Sequence, residues 1–582
     1  MIDILKKLNY VLDKEQKRGI VFLGILIFIG GLLETIGVSA ILPVVTTMLD
    51  PDALMQYDIV LTIMGVLGLE NSTQLIILML SGLIAIYIFK NAFLLYMVRC
   101  QTKYIATNRN KMISRVLREF LNRPYEFYLD ADIPTVFRIT DSDIPTVFQL
   151  LMVLIQLTSE IVVAVCLCAV LLIADWKITI GVILVLGILT LLIGKVLKPK
   201  LNKLGRKNQS LQSKIAKWRI QAIYGIKDVK VLHREEYFAS NYEKSGKKGA
   251  VLSSNYSVLN SLPRLLIETV FMVFILSYIL IYIVQGEDIT SLIPLLSVFA
   301  IAAIRLLPCA SRVNTYITEM AYAEPCLNYL YENLNMNVLS EKSNPMLRKA
   351  ENAEKLSLKD KIVLKDISYA YPNTDKLIFD QANMEVPYSK SVGIMGSSGA
   401  GKSTVVDILL GLLTLKDGAI TCDGVSIFDN YESWLSQIGY IPQAIYLIDE
   451  SIRQNIAFGI AVEEIDDNRI WEVLEEAQLK EYVESLPEGL DTTIGDRGIR
   501  ISGGQRQRIG IARALYHNPE ILVFDEATSA LDNDTERAVM EAVNNFHGKK
   551  TMVIIAHRLN TIANCDYIYK VEDQKIVLTT LE

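Results

Sequence analysis

Residues 396–403 of this 582-residue chain read Gly-Ser-Ser-Gly-Ala-Gly-Lys-Ser, a spacing that fits the phosphate loop G-x-x-x-x-G-K-[ST]. The chemistry is the binding of a nucleotide's phosphates. Around Gly396, Ser397, Ser398, Gly399, Ala400 and Gly401 the backbone could curl its N–H groups onto phosphate oxygens. A helix starting just beyond would aim its positive end at the same place. Lys402 would reach the β- and γ-phosphates, and the hydroxyl of Ser403, with Thr404 beside it, would ligate Mg²⁺. A glycine-rich turn between strand and helix is the alternative.

A second pair of residues fits the same reaction. Ile521-Leu-Val-Phe524 has the apolar character of a buried strand, and Asp525-Glu526 follow it. Open α/β sheets place ligands at the carboxyl ends of their strands. Asp525 suits Mg²⁺ coordination, while Glu526 suits orienting or deprotonating an attacking water. An ordinary helix cap would need no phosphate loop upstream.

Both candidates require a sheet to hold them. An apolar run at 392–395 precedes the loop and a helix-like pattern at 405–413 follows it. With strand-like runs at 362–364, 521–524 and 551–555, this predicts an α/β domain with a largely parallel sheet. The rest of the chain is different. Overall, 51% of residues are hydrophobic and 21% charged. The mean hydropathy is +0.32, too apolar for an ordinary soluble enzyme. The excess lies before about residue 308. Apolar segments at 20–48, 75–98, 147–174, 178–196, 265–284 and 289–307 each approach the ~20 residues that cross a bilayer. The basic start (Lys6, Lys7, Lys14, Lys17, Arg18) reads as an interfacial helix leading into an uncleaved span, with a signal peptide as the competing reading.

Lysine and arginine set the orientation. Residues 49–74 and 285–288 carry neither, whereas 99–143 and 195–264 are rich in both. This predicts cytoplasmic termini and long helices extending the spans into the cytoplasm. A polar stretch at 335–361 reads as a linker between a membrane domain (1–334) and the α/β domain (362–582). The sequence Asp-Ile-Pro-Thr-Val-Phe occurs at 132–137 and again at 143–148, suits a helix start in both copies and is assigned no function. A net charge of −6 gives no reason to expect nucleic-acid binding, and seven cysteines without pairing or metal spacing predict no disulfides.

The motifs together resemble those of ATP-binding cassette (ABC) exporter half-transporters of the type IV fold. Ile501-Ser502-Gly503-Gly504-Gln505 resembles the family signature, with Ile in place of Leu; Ser529-Ala-Leu-Asp532 resembles its D-loop. Gln443 in Tyr-Ile-Pro-Gln, His557 in Ile-Ile-Ala-His-Arg and Tyr371 in Tyr-Ala-Tyr-Pro match the Q-loop, the switch histidine and the adenine-stacking aromatic. The resemblance implies a polytopic α-helical membrane domain of about six spans with long cytoplasmic extensions, followed by an α/β P-loop ABC ATPase domain. It implies ATP and Mg²⁺ as cofactors. Lys402, Gln443, Glu526 and His557 would then be catalytic, and Ser403, Gln443 and Asp525 would be metal ligands. Ser502 to Gln505 of a second copy would close over the nucleotide, so a homodimer is expected, and residues 225–230 match the coupling segment that docks on the partner chain.

For the cargo, six ionisable residues fall in or near the spans: Glu34, Lys90, Arg264, Glu268, Arg305 and Arg312. Intramembrane charge costs ~2.5–3.5 kcal/mol on insertion scales and marks a site by default. Snorkelling of Arg264 and Arg312, or an i,i+4 pair between Arg264 and Glu268, are the structural alternatives. Lys90, Arg264, Arg305 and Arg312 are the candidate substrate residues, and cations favour an anionic substrate. Glu34-Thr35 with Pro43, Pro263-Arg264 with Glu268, and Arg305-Leu-Leu-Pro308 with Arg312 resemble bacterial lipid-linked oligosaccharide flippases. That resemblance implies a membrane-lipid partner, an anionic glycolipid substrate and the bacterial plasma membrane. Export of drugs, peptides or other lipids stays open, and a non-transporting ATPase is the third reading.

Overall fold

The computed structural model describes residues 2–40, 72–130, 133–174, 176–284, 289–343, 355–495, 501–526, 540–541, 543–556 and 559–580. The chain forms two compact units. One comprises Met1–Leu121 with Asp132–Leu339; the other comprises Asn122–Ala131 with Ser340–Glu582.

The first unit is helical. Its elements are α1 (Ile2–Val11), α2 (Lys14–Ser39) and α3 (Ser72–Leu121). The helix α4 (Tyr125–Asp130) then belongs to the other unit. Next come α5 (Ile133–Arg138), a π-turn at Ile139–Asp143, α6 (Ile144–Ala174), α7 (Trp176–Tyr224), α8 (Ile226–Val231), α9 (Glu235–Val284) and α10 (Ile289–Ser343). Among the described residues five helices are long and apolar enough to span a bilayer. Their outward faces carry Ile88, Phe89, Leu95 and Leu191, all more than 60% exposed, which suits lipid contact rather than water. Of the sixth expected span, side chains 289–306 lie outside the described residues. The first nine residues of the expected linker continue α10 as helix. Helix α7 approaches α10 closely at Gly205, where any Cβ would meet the Tyr322 carbonyl oxygen.

The repeated hexapeptide does not behave as two helix starts. Its second copy follows the π-turn without a break in the helical backbone, and its leading Asp143 is buried rather than capping. Asp143 accepts from Arg138 Nε at 3.1 Å and from Gln209 Nε2 at 3.2 Å. Arg138 Nη1 donates to Ser213 Oγ at 2.7 Å, and its guanidinium lies 4.4 Å from the Tyr329 ring centre. Asp143 closes the π-turn and is buried there with its partner. The pair ties together α5, α7 and α10.

The second unit is the expected α/β domain. Six strands are ordered β10-β9-β3-β8-β7-β6: β3 Ser391–Gly396, β6 Ile438–Ile441, β7 Ile521–Asp525, β8 Thr551–Ile555, β9 Tyr567–Glu572 and β10 Lys575–Thr579. All neighbours are parallel except the β9–β10 edge hairpin. Both faces are covered, so the strands read as unbroken apolar runs. Ile521, Val523, Val553 and Ile555 enter one core, whereas Leu522, Phe524, Met552 and Ile554 enter the other. The 362–364 run belongs to β1 (Lys361–Tyr369) of a separate four-stranded antiparallel sheet with β2 (Phe379–Pro387), β4 (Asp417–Cys422) and β5 (Val425–Ser426).

Breaking the buried Arg138–Asp143 pair should destabilise the helical unit by ~3–5 kcal/mol, because the partner left behind is an unpaired buried charge. Thermal unfolding in detergent should therefore fall for Arg138→Met and be partly restored in Arg138→Met/Asp143→Leu. Equal losses in both would show that the pair is not the source.

Candidate functional site

The phosphate loop lies between β3 and α11 (Lys402–Leu409). Gly399 (φ +79°) and Gly401 (φ +106°) occupy left-handed backbone that side chains disfavour. A Cβ on Gly399 would meet nothing within 4 Å, so its open side is room for a ligand. A Cβ on Gly401 would collide with Ile378 and Phe379, so this glycine lets the loop sit on the sheet. Lys402 Nζ donates to the carbonyl oxygens of Gly396 and Ser397 at 3.1 Å each. Its charge is thus held over the loop's mouth.

The sheet brings the acids to the loop. Strand β8 separates β3 from β7, and Asp525 pairs in register with Ile555. Ser403 Oγ donates to Asp525 Oδ1 at 3.3 Å, and Tyr440 Oη lies 3.5 Å from Asp525 Oδ2. Burial pushes the Asp525 carboxyl up, the Ser403 hydroxyl counteracts this, and the Glu526 charge adds to the rise. A hydroxyl and a buried carboxylate in contact are a hard-oxygen pair suited to Mg²⁺. Glu526 stands at φ +51°, a strained position for a non-glycine residue, with its N–H fixed to the Ile555 carbonyl at 3.1 Å. Gln443 Nε2 donates to Glu526 Oε2 at 2.7 Å. The groups expected to hold a metal and a water therefore meet at one strand end.

Tyr371 is half-buried, and its hydroxyl lies 2.9 Å from Thr404 Oγ1. Helix α12 (Gly503–Leu515) carries the signature. Ser502 Oγ accepts from the Gln505 N–H at 3.2 Å, while Gln505 Oε1 accepts from the Ser502 N–H at 2.9 Å, a reciprocal cap. Ser502 and Gly503 are exposed and Gly504 is buried. Among the described residues no hydrogen bond joins Ser502–Gln505 to the phosphate loop. His557 and residues 529–532 lie outside the described residues.

Three features here escaped the motif reading. Tyr440 precedes Gln443 by three residues and reads as a strand aromatic. Asp407, one turn beyond Ser403, has its carboxyl raised to about 6, by burial first and by Asp525 second. Helix α4 is the third: Glu126 Oε1 accepts from the Thr414 N–H at 2.8 Å, and Asn373 Nδ2 donates to Asp130 Oδ2 at 2.7 Å. It contacts the chain just after Tyr371 and just after α11, a placement that only the tertiary fold reveals.

The helical unit carries an open-sided cavity of about 550 Å³ lined by Arg264, Ile267, Glu268, Met272, Leu307, Pro308, Ser311 and Arg312. Two of the four expected substrate residues thus come together. Lys90 does not join them: it is buried beside Gly37, its ammonium 4.5 Å from the Tyr87 ring centre. Arg305 is on α10, but its side chain lies outside the described ones. Among the described residues no ion pair links Arg264 to Glu268. Arg312 instead forks onto Glu160 of α6, Nε to Oε1 at 2.6 Å and Nη2 to Oε2 at 3.0 Å. Glu160 lies inside the apolar 147–174 run, where an acid is as costly as the six ionisable residues that the sequence marks.

A phosphate cradle, an acid pair at the end of β7 and a capped signature helix define a P-loop ATPase of the cassette type, in one chain with a helical membrane unit. The chain belongs to the ABC transporter family. Residues 20–303 match the ABC transporter transmembrane region, and 379–529 match the ABC transporter model of the ATPase part. The ATP-dependent lipid A-core flippase of Saccharophagus degradans is 30% identical over 412 residues, 70% of this chain and 67% of that one. A multidrug resistance ABC transporter ATP-binding and permease protein of Lactococcus lactis is 30% identical over 412 residues, 69% of this chain and 66% of that one. The structure of a bacterial Atm1-family ABC exporter with ATP bound shares the fold, with a TM-score of 0.71 at 21% identity, covering 97% of this chain and 95% of that one. This chain is an ABC exporter half-transporter, an ATP hydrolase coupled to transport across a membrane.

Two outcomes follow for the ATPase unit. Glu526→Gln should lower hydrolysis by at least ~100-fold, the usual contribution of a positioned base, while binding of a fluorescent ATP analogue persists. Asp407 has its folded-state value raised from 3.8 to about 6, so the folded unit holds that proton more tightly than the unfolded chain does. Its stabilising contribution is complete below the ordinary value and is lost as pH rises through about 6. Asp407→Asn should therefore raise the unfolding temperature at pH 7.5 more than at pH 5, as read by scanning fluorimetry.

Proposed function

We propose that the protein is an ATP-driven flippase for an anionic lipid-linked oligosaccharide or a related glycolipid. The observation that carries this reading is the cavity bearing Arg264 and Arg312 on otherwise mostly apolar walls. Arginine is the side chain best suited to bind phosphate through two donors at once, and apolar walls suit a lipid tail. The name of the Saccharophagus relative, a lipid A-core flippase, supports lipid as the cargo class. The working unit is a homodimer in the bacterial plasma membrane with both termini cytoplasmic. Lys402 and the loop amides grip the phosphates of ATP, Ser403, Asp525 and Gln443 hold Mg²⁺, and Tyr371 stacks on adenine. Glu526 orients the attacking water, and His557 acts with it as the switch histidine. Ser502, Gly503, Gly504 and Gln505 of the second copy complete each site, and α8, which exposes Ile226 and Val231, docks on the partner's ATPase unit.

In proteoliposomes holding a fluorescent pyrophosphate-linked glycolipid, Arg305→Ala/Arg312→Ala should abolish ATP-dependent movement between leaflets while the same vesicles still hydrolyse ATP. Undiminished movement overturns the reading.

A further inference from the structure

The cavity's two arginines are not electrically equivalent. Arg264 makes no ion pair among the described residues. Arg312 is already engaged along its Nε–Nη2 edge by both oxygens of Glu160. Glu160 is not among the residues lining the cavity; its side chain is 15% exposed, against 49% for that of Arg312. The carboxylate therefore sits behind a guanidinium that faces the cavity. Its backbone is tied to the same helix as the arginine, because the Cys309 thiol, one turn before Arg312, donates to the Glu160 carbonyl oxygen at 3.3 Å. The fork is built, not a chance meeting of flexible tips.

We propose that Glu160 is an internal counter-anion that offsets the charge Arg312 presents to the cavity, and that this offset selects headgroups by charge. The inference rests on the anionic-lipid reading and adds to it the residue that sets its threshold. The physical case is two anions on one guanidinium. Glu160 takes the Nε–Nη2 edge, which leaves a headgroup the remaining Nη1 and Nη2 donors of a cation that is already paired. A singly charged headgroup there meets a charge that Glu160 has largely offset. A pyrophosphate carries more charge and has a second cation to meet in Arg264, which lines the same cavity. Neutral and singly charged lipids of the surrounding bilayer, present in vast excess, are refused. Without substrate, Glu160 keeps the site from binding them.

The test uses the full-length protein in phosphatidylcholine nanodiscs with Mg²⁺ in excess, following stimulation of ATP hydrolysis by farnesyl pyrophosphate. Farnesyl monophosphate, farnesol and inorganic pyrophosphate are run in parallel. Glu160→Gln should lower the half-saturating concentration of farnesyl pyrophosphate at least tenfold and should let the monophosphate stimulate. Glu160→Ala, which lacks the amide, should shift it in the same direction, and Arg312→Ala should flatten the response. Stimulation at saturation in the Glu160 variants shows that they are folded. Inorganic pyrophosphate acting as well as the farnesyl ester would make the ligand a free anion, and would overturn the lipid-headgroup form of the proposal. Equal half-saturation in wild type and both Glu160 variants overturns the counter-anion role and leaves the anionic-lipid reading standing. Silence of wild type and variants to every anionic probe overturns both.

Discussion

The contact between Ser403 and Asp525, 3.3 Å apart across 122 residues of chain, is the constraint that the ATPase unit is built to satisfy. Neither residue can be moved independently. Ser403 is set by the turn that brings β3 into α11, and Asp525 by the register of β7 on β8. A slip of one residue in that register would turn Asp525 into the other core and bring Phe524 to its place. It would also exchange Ile521 and Val523 with Leu522 and Phe524 between two close-packed cores, and their different shapes make the slip costly. The precision of a polar contact is thus secured by apolar packing on either side of it.

Much of this was legible in the sequence because the chemistry needs particular residues at short spacing. The phosphate loop, Asp525-Glu526 and Gln443 are each recognisable from a handful of neighbours, and the strands that position them are continuous apolar runs. What stayed hidden depends on distant partners. Tyr440 reads as a strand aromatic until Asp525 is seen beside it. Asp407 reads as an exposed helix acid until burial raises its carboxyl. The 362–364 run is as apolar as the parallel strands, yet pairs antiparallel with β2 and β4, because strand periodicity alone carries no information on direction.

The membrane unit shows the same limit from the other side. Arg264 and Arg312 were marked by the cost of charge among apolar residues, and they do line one cavity. The same criterion marked Lys90, which lies elsewhere, because cost says that a charge needs a reason without saying which. Arg138 and Asp143 illustrate another reason. Their buried pair fixes the junction of α5, α7 and α10, and the repeated hexapeptide that resembled two helix starts became one start and one ion-pair ligand.

Helix α4 carries a topological consequence. The ten residues Asn122–Ala131 lie early in the chain, yet they are packed into a unit whose remaining residues begin only at Ser340. The ATPase unit is therefore discontinuous, joined to the helical one through three chain crossings instead of a single tether. During synthesis this short piece must wait for more than two hundred residues before its binding surface exists. A protease cut between α10 and β1 would leave the two fragments still joined non-covalently through Glu126, Asp130 and their partners. An ATPase unit expressed alone from Ser340 onward would leave Asn373 and the Thr414 N–H without the acids that α4 gives them.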